Sequence, residues 1–164
     1  MKLPQARREK VMIRSSANER QSFQLLLNGK ANGVTLNGVT VTDLKVNGHL
    51  IPSSAITVRR VAFVPITKSS YITPAKFLGE IGDPLVPIGS TKVSPQDGTT
   101  ALWFTVSVAP GTPAGVYAGD VTLRLVGADK VSVPLSLEVY DFELPEFSSF
   151  RSNLGMQYVS KLLS

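Results

Sequence analysis

The 164-residue sequence contains no cysteine. Structural disulfides, thiolate metal sites and a cysteine nucleophile are therefore excluded. It has a single histidine, His49, in the stretch VNGHLIP beside a turn. No further ligand stands at a metal-binding spacing from it, so it reads as an exposed loop imidazole and no metal site is expected. The sequence has no Gly-x-Ser-x-Gly, no Gly-rich phosphate loop and no His-Glu-x-x-His, the local patterns that would announce a nucleophile elbow, a nucleotide site or a zinc protease. No apolar run reaches the roughly 18 residues that a membrane-crossing helix needs. The N-terminal MKLPQARREK lacks the apolar stretch of a signal peptide. There is one tryptophan, Trp103.

What is present describes a globular chain, 43% hydrophobic with charges of both signs. Its 13 glycines and 11 prolines are dispersed, as between many short strands. The net charge is +5. Part of it comes from Lys2, Arg7, Arg8 and Lys10, which read as a solvated tail. The other basic residues are scattered, with no interleaved stacking aromatics and no helix to enter a groove, so nucleic acid is not an expected partner.

Period-two alternation recurs along the chain. Phe23, Leu25 and Leu27 share one face, opposite Ser22, Gln24 and Leu26. Leu102, Phe104, Val106 and Val108 alternate with Ala101, Trp103, Thr105 and Ser107. Tyr117, Val121, Leu123 and Leu125 point one way while Asp120, Thr122 and Arg124 point the other. Val131, Val133, Leu135, Leu137 and Val139 do the same against Lys130, Ser132, Ser136 and Glu138. One buried and one wet face is the mark of antiparallel sheets. Weaker strands are expected at Lys10–Arg14, Thr35–Val46 and Ile56–Ile66. Pro134 places its strand at an edge or a bulge. Asn-Gly pairs at 28–29, 32–33, 37–38 and 47–48 suit tight hairpins, and Gly127-Ala128-Asp129 predicts a hairpin joining Val121–Val126 to Val131–Tyr140.

Two segments break the pattern. Thr67–Asp97 carries Pro74, Pro84, Pro87 and Pro95 with little alternation and reads as a long loop. After Pro145, Met156, Val159, Leu162 and Leu163 take up helical spacing. The expected fold is all-β: an immunoglobulin-like antiparallel two-sheet β-sandwich over residues 1–147, with a short helical or irregular tail over 148–164. A small closed barrel is the alternative.

Candidate chemistry rests on few residues. Carboxylates could serve glycoside hydrolysis, which needs two of them, and Glu19, Asp83 and Asp120 stand in pronounced contexts. A turn explains Asp83 in GDPLVP, solvation explains Asp120, and Glu19 is expected to pair with Arg20 or to accept from backbone donors. Nothing pairs the three in sequence, so no catalytic residue is assigned. Trp103 lies on the polar face of its strand, where an indole serves as a sugar platform or a domain anchor unless both faces are covered.

ANERQSFQLLL (17–27), GDPLVP (82–87), TALWFTVSVAPGTPAGVYAGDVTL (100–123) and VYDFELP (139–145) occur in this order. At similar spacing they resemble the N-terminal β-sandwich of bacterial proteins related to glycoside hydrolase family 123. The likeness covers most of residues 9–147. One departure is Gly98-Thr99-Thr100, where family members often carry an asparagine. The resemblance implies a sandwich followed by a (β/α)-barrel, with residues 141–145 as the exit and 148–164 as the start of the barrel. It implies that the catalytic acidic pair lies in the barrel, so none is carried over here. It also implies a secreted, periplasmic or cell-surface location.

The resulting expectation is a non-catalytic accessory domain of a carbohydrate-active protein, without a cofactor, whose partner is a C-terminal catalytic domain of the same polypeptide. Asn18, Glu19 and Arg20 would close the loop into the second strand, against that domain. The alternatives are a carbohydrate-binding module with Trp103, Tyr71 or Tyr117 stacking on a glycan, and a sandwich with a protein partner. A self-sufficient enzyme lacks a linked acid–base set.

Overall fold

The computed structural model describes residues 10–28, 34–68, 78–89, 91–93, 99–127 and 129–147. Among these it forms eleven strands: β1 (Val11–Ala17), β2 (Glu19–Asn28), β3 (Val34–Val41), β4 (Leu44–Val46), β5 (His49–Ile51), β6 (Ile56–Ile66), β7 (Gly79–Pro87), β8 (Thr91–Val93), β9 (Thr99–Val108), β10 (Gly115–Val126) and β11 (Val131–Glu143). A single 3-10 turn spans Ser53–Ala55. Among the described residues no helix is long and apolar enough to cross a membrane. The tail predicted over 148–164 lies outside the described residues.

The strands form two sheets, as the alternation requires. The seven-stranded sheet runs β1-β11-β10-β3-β8, with β4 attached to β10 and β5 to β4; the four-stranded sheet runs β2-β9-β6-β7. All pairings are antiparallel except β1 with β11, which is parallel. The core lies between the sheets. Leu102, Phe104, Val106 and Val108 of β9 meet Tyr117, Val121 and Leu123 of β10 and Leu135, Leu137 and Val139 of β11. Each large apolar side chain removed from water there contributes about 1.5–3 kcal/mol. Phe23 of β2 stacks on Phe104, ring centroids 4.6 Å apart and planes 6° from parallel.

Three expectations are corrected. Thr67–Asp97 is not wholly loop, because β7 and β8 lie within it. Strand β7 is the outer strand of its sheet, where Pro84 and Pro87 are tolerated because one side of an edge strand needs no ladder donors. Asp83 accordingly stands in a strand, not a turn: the register shifts so that Asp83 and Pro84 both oppose Ala62, a β-bulge. The stretch Thr35–Val46 is two strands, broken at Thr42-Asp43 where the chain turns to pair β4 with β5. Pro134 sits in an interior strand, yet its β1 side is open, since β1 is in register only from Leu135 onward.

Candidate functional site

The first cluster of polar side chains closes one end of the sandwich. Strand β1 belongs to the larger sheet and β2 to the smaller, with Asn18 alone between them. Its φ of 58° is the left-handed conformation that asparagine tolerates better than most residues. The crossing buries Ser15 and Ser16. Glu19 satisfies them: its Oε2 accepts from the Ser16 backbone N–H (2.7 Å) and hydroxyl (2.8 Å) and lies 3.3 Å from the Ser15 hydroxyl. The Ser16 backbone donor, followed by its hydroxyl, holds the Glu19 carboxyl below the usual carboxylate range. A carboxylate locked in this way has no proton to give at neutral pH. Arg20 is exposed on β2 opposite Ser107, and no ion pair joins it to Glu19.

The same end holds the exit from β11. Leu144 N–H donates to the Ala17 carbonyl (3.0 Å), Asn18 Nδ2 to the Leu144 carbonyl (2.8 Å), and Gly111 N–H to Glu143 Oε2 (2.7 Å). The chain therefore leaves the sandwich in a fixed direction. Beside that exit Tyr140 and Phe142 stack with centroids 5.9 Å apart. They are 39% and 57% exposed, and Leu144 and Phe147 are exposed as well.

The second cluster lies on the outward face of the four-stranded sheet. Trp103 is half-buried there, between Gln24 of β2 and Arg59 of β6 in register. Its Nε1 donates to Thr105 Oγ1 (3.2 Å), which lies 3.0 Å from the Ser22 hydroxyl. Arg59 also lines an open cleft of about 390 Å³ beyond the ends of β7 and β8, with Thr57, Pro87 and Ile88 on one side and Gly38 and Arg124 on the other.

The remaining candidates fall apart. Tyr117 is fully buried and its hydroxyl donates to the Pro113 carbonyl (2.9 Å). This is the tyrosine corner of immunoglobulin-like sandwiches. Burial raises its hydroxyl pKa above the ordinary tyrosine value, and its ring offers no surface to a sugar. Asp83, at its bulge on the outer strand, is remote in register from the Trp103 row. Tyr71 lies outside the described residues. His49 is exposed in β5, and no group of three metal-ligating side chains occurs among the described residues. Glu143, Gln24, Arg59 and Arg124 escaped the sequence reading, because only strand pairing shows which residues they join. Alternation sets Gln24 and Arg124 opposite the apolar faces of their strands without giving either a partner, and the alternation of Ile56-Thr57-Val58-Arg59 is a signal left unread for Arg59.

Two packed β-sheets around one apolar core, with a tyrosine corner, make the chain an all-β sandwich of immunoglobulin-like type. No protein-family model matches the sequence, and no curated protein matches it. Among solved structures the fold is similar to that of a family 123 glycoside hydrolase from Clostridium perfringens, described for glycolipid glycan hydrolysis. The TM-score is 0.71 at 16% identity, over 84% of this chain and 24% of that one. The chain thus spans about a quarter of that enzyme's length.

Proposed function

We propose that the chain is a non-catalytic accessory β-sandwich domain of a larger carbohydrate-active protein, packing through its exit end on a catalytic domain that follows in the same polypeptide. The observation that carries this reading is the exit itself. Three hydrogen bonds fix Glu143 and Leu144 to the sandwich end, on Gly111, Ala17 and Asn18, and exposed aromatics stand beside them. A pinned exit transmits orientation to whatever comes next, and large apolar side chains grouped at one place favour burial against a partner. The likeness to a fraction of a glycoside hydrolase supports the same assignment. On this reading the protein is bacterial and secreted, periplasmic or cell-surface, and Asn18 and Glu19 act by holding the junction.

The test is the size of the native protein in its source cells, detected with an antibody against this domain. A product several hundred residues longer than 164 is the expected result. A product of about this length would overturn the reading. The second reading, a saccharide-binding module, is favoured by one observation: the only tryptophan stands on a wet sheet face between an amide and a guanidinium.

A further inference from the structure

The outward face of the four-stranded sheet changes character along its length. Trp103 and Arg59 stand in one register row. Two residues further from the exit end, and so on the same face, come Leu26 of β2, Val61 of β6 and Leu85 of β7, the last two in register. Phe63 follows, opposite Gly82. A Cβ on Gly82 would lie 3.0 Å from Val61 Cγ1 and 3.4 Å from Phe63 Cε1, so both side chains lean over this glycine. The bulge at Asp83-Pro84 keeps Leu85 and Gly82 on one face. Leu26, Phe63 and Leu85 are 58%, 50% and 38% exposed, an apolar group that favours burial against a partner. The exit, held at Asn18 and Leu144, lies at the other end of β2, so this patch is not part of that junction. Pro84 and Pro87 on the outer strand donate nothing to a further ladder, which leaves the face, not the edge, for contact. Charge brackets the patch. Exposed Arg59 lies at one end and exposed Glu80, opposite Pro65, at the other. At about 3.3 Å per residue from 59 to 65 they stand about 20 Å apart. Neither forms an ion pair among the described residues. The arrangement is self-complementary. A two-fold axis between two such faces, running across the strands, sets Arg59 of each copy towards Glu80 of the other and leaves the apolar groups facing each other.

We propose that this face is the interface of a symmetric dimer of the chain, with Leu26, Phe63 and Leu85 packed across the axis and Arg59 paired to Glu80 of the second copy at either end. Sedimentation equilibrium of the 164-residue chain, loaded between about 1 μM and about 1 mM, should show a monomer–dimer equilibrium weakened by salt. Leu26→Gln should weaken it about tenfold. Arg59→Glu and Glu80→Arg each place like charges at both ends of the interface, so each alone should weaken association at least about tenfold. Mixed in equal amounts, the two variants should associate again, because both ends then join opposite charges. Met12→Gln, at a residue 72% exposed on the other sheet, should leave association unchanged. Melting temperatures check that each variant is folded. A chain that stays monomeric throughout this range overturns the proposal. So does undiminished association in Leu26→Gln, Arg59→Glu or Glu80→Arg, a mixture that fails to associate, or an equal loss in Met12→Gln.

Discussion

Asn18 carries the chain from one sheet to the other in a single residue, and Glu19 makes that crossing tolerable. Ser15 and Ser16 are buried on the way, and without the Glu19 carboxylate the Ser16 N–H and hydroxyl would lack their acceptor, while the Ser15 hydroxyl would keep only the Ser16 carbonyl at 3.1 Å. Glu19→Ala should therefore lower stability by roughly 1–3 kcal/mol in urea unfolding at pH 7. Glu19→Gln, which retains one acceptor oxygen, should lose less. The pH dependence has a definite sign. The folded carboxyl titrates below its ordinary value, so its contribution is complete above the unfolded-chain pKa, about 4.3, and is lost as pH falls through the folded value. Wild type and Glu19→Ala should differ at neutral pH and converge in acid. The run Ala17-Asn18-Glu19-Arg20 showed in the sequence that a polar corner precedes a strand. It did not show that the corner changes sheets, because the buried partners, Ser15 and Ser16, lie in β1 and look like ordinary solvated serines.

At the scale of elements, the glycines of β10 set how closely the strands cross. A Cβ on Gly119 would meet Leu44 Cδ2 and Thr42 Oγ1 at 2.7 Å and the Asp43 carbonyl oxygen at 2.9 Å. That last contact is backbone and cannot swing away. Gly119→Ala should push the β3–β4 corner off β10 at a cost of roughly 1–3 kcal/mol. It should also speed hydrogen exchange at the Thr42 and Asp120 amides, which bond to each other's residue across the crossing (3.0 and 2.9 Å). Gly48→Ala is a useful contrast. Its φ is +82° with open space around it, so its cost is backbone strain alone, roughly 1–2 kcal/mol, and the β10 amides should stay protected. The four Asn-Gly pairs show why such elements are only partly legible. Asn47-Gly48 is a hairpin turn with both φ values positive, whereas Asn37-Gly38 lies inside β3, opposite a register shift. Gly38 there seats Arg124. The dipeptide is the same, and pairing with distant strands decides between turn and bulge. Strands with strict alternation, β2, β9, β10 and β11, were legible because one face turns to the core along most of each, half-buried in β2 and largely buried in the other three. Strand β7 was hidden, since an edge strand with two prolines buries too little to impose the period.

For the whole molecule, the two clusters lie on different surfaces and make separable demands. The Trp103 face is a patterned sheet surface whose polar groups are fixed by neighbours. The exit end is rigid in backbone but exposes Tyr140, Phe142, Leu144 and Phe147. An isolated sandwich gains little from these side chains beyond the Tyr140–Phe142 stack, about 0.5–1.5 kcal/mol, because exposed residues away from special contacts change stability by about 0.5 kcal/mol or less. If they are half of a junction, their contribution is visible only in the longer protein. Tyr140→Ser with Phe142→Ser should lower the melting temperature of the 164-residue chain by only a few degrees, the loss of their mutual stack. In the full-length parent the same pair should split one cooperative calorimetric transition into two, since the domains would no longer unfold as a unit. Asn18→Ala should act in the same direction, because it frees the Leu144 carbonyl that holds the exit. A parent whose single transition survived all three substitutions would place the junction elsewhere on the sandwich.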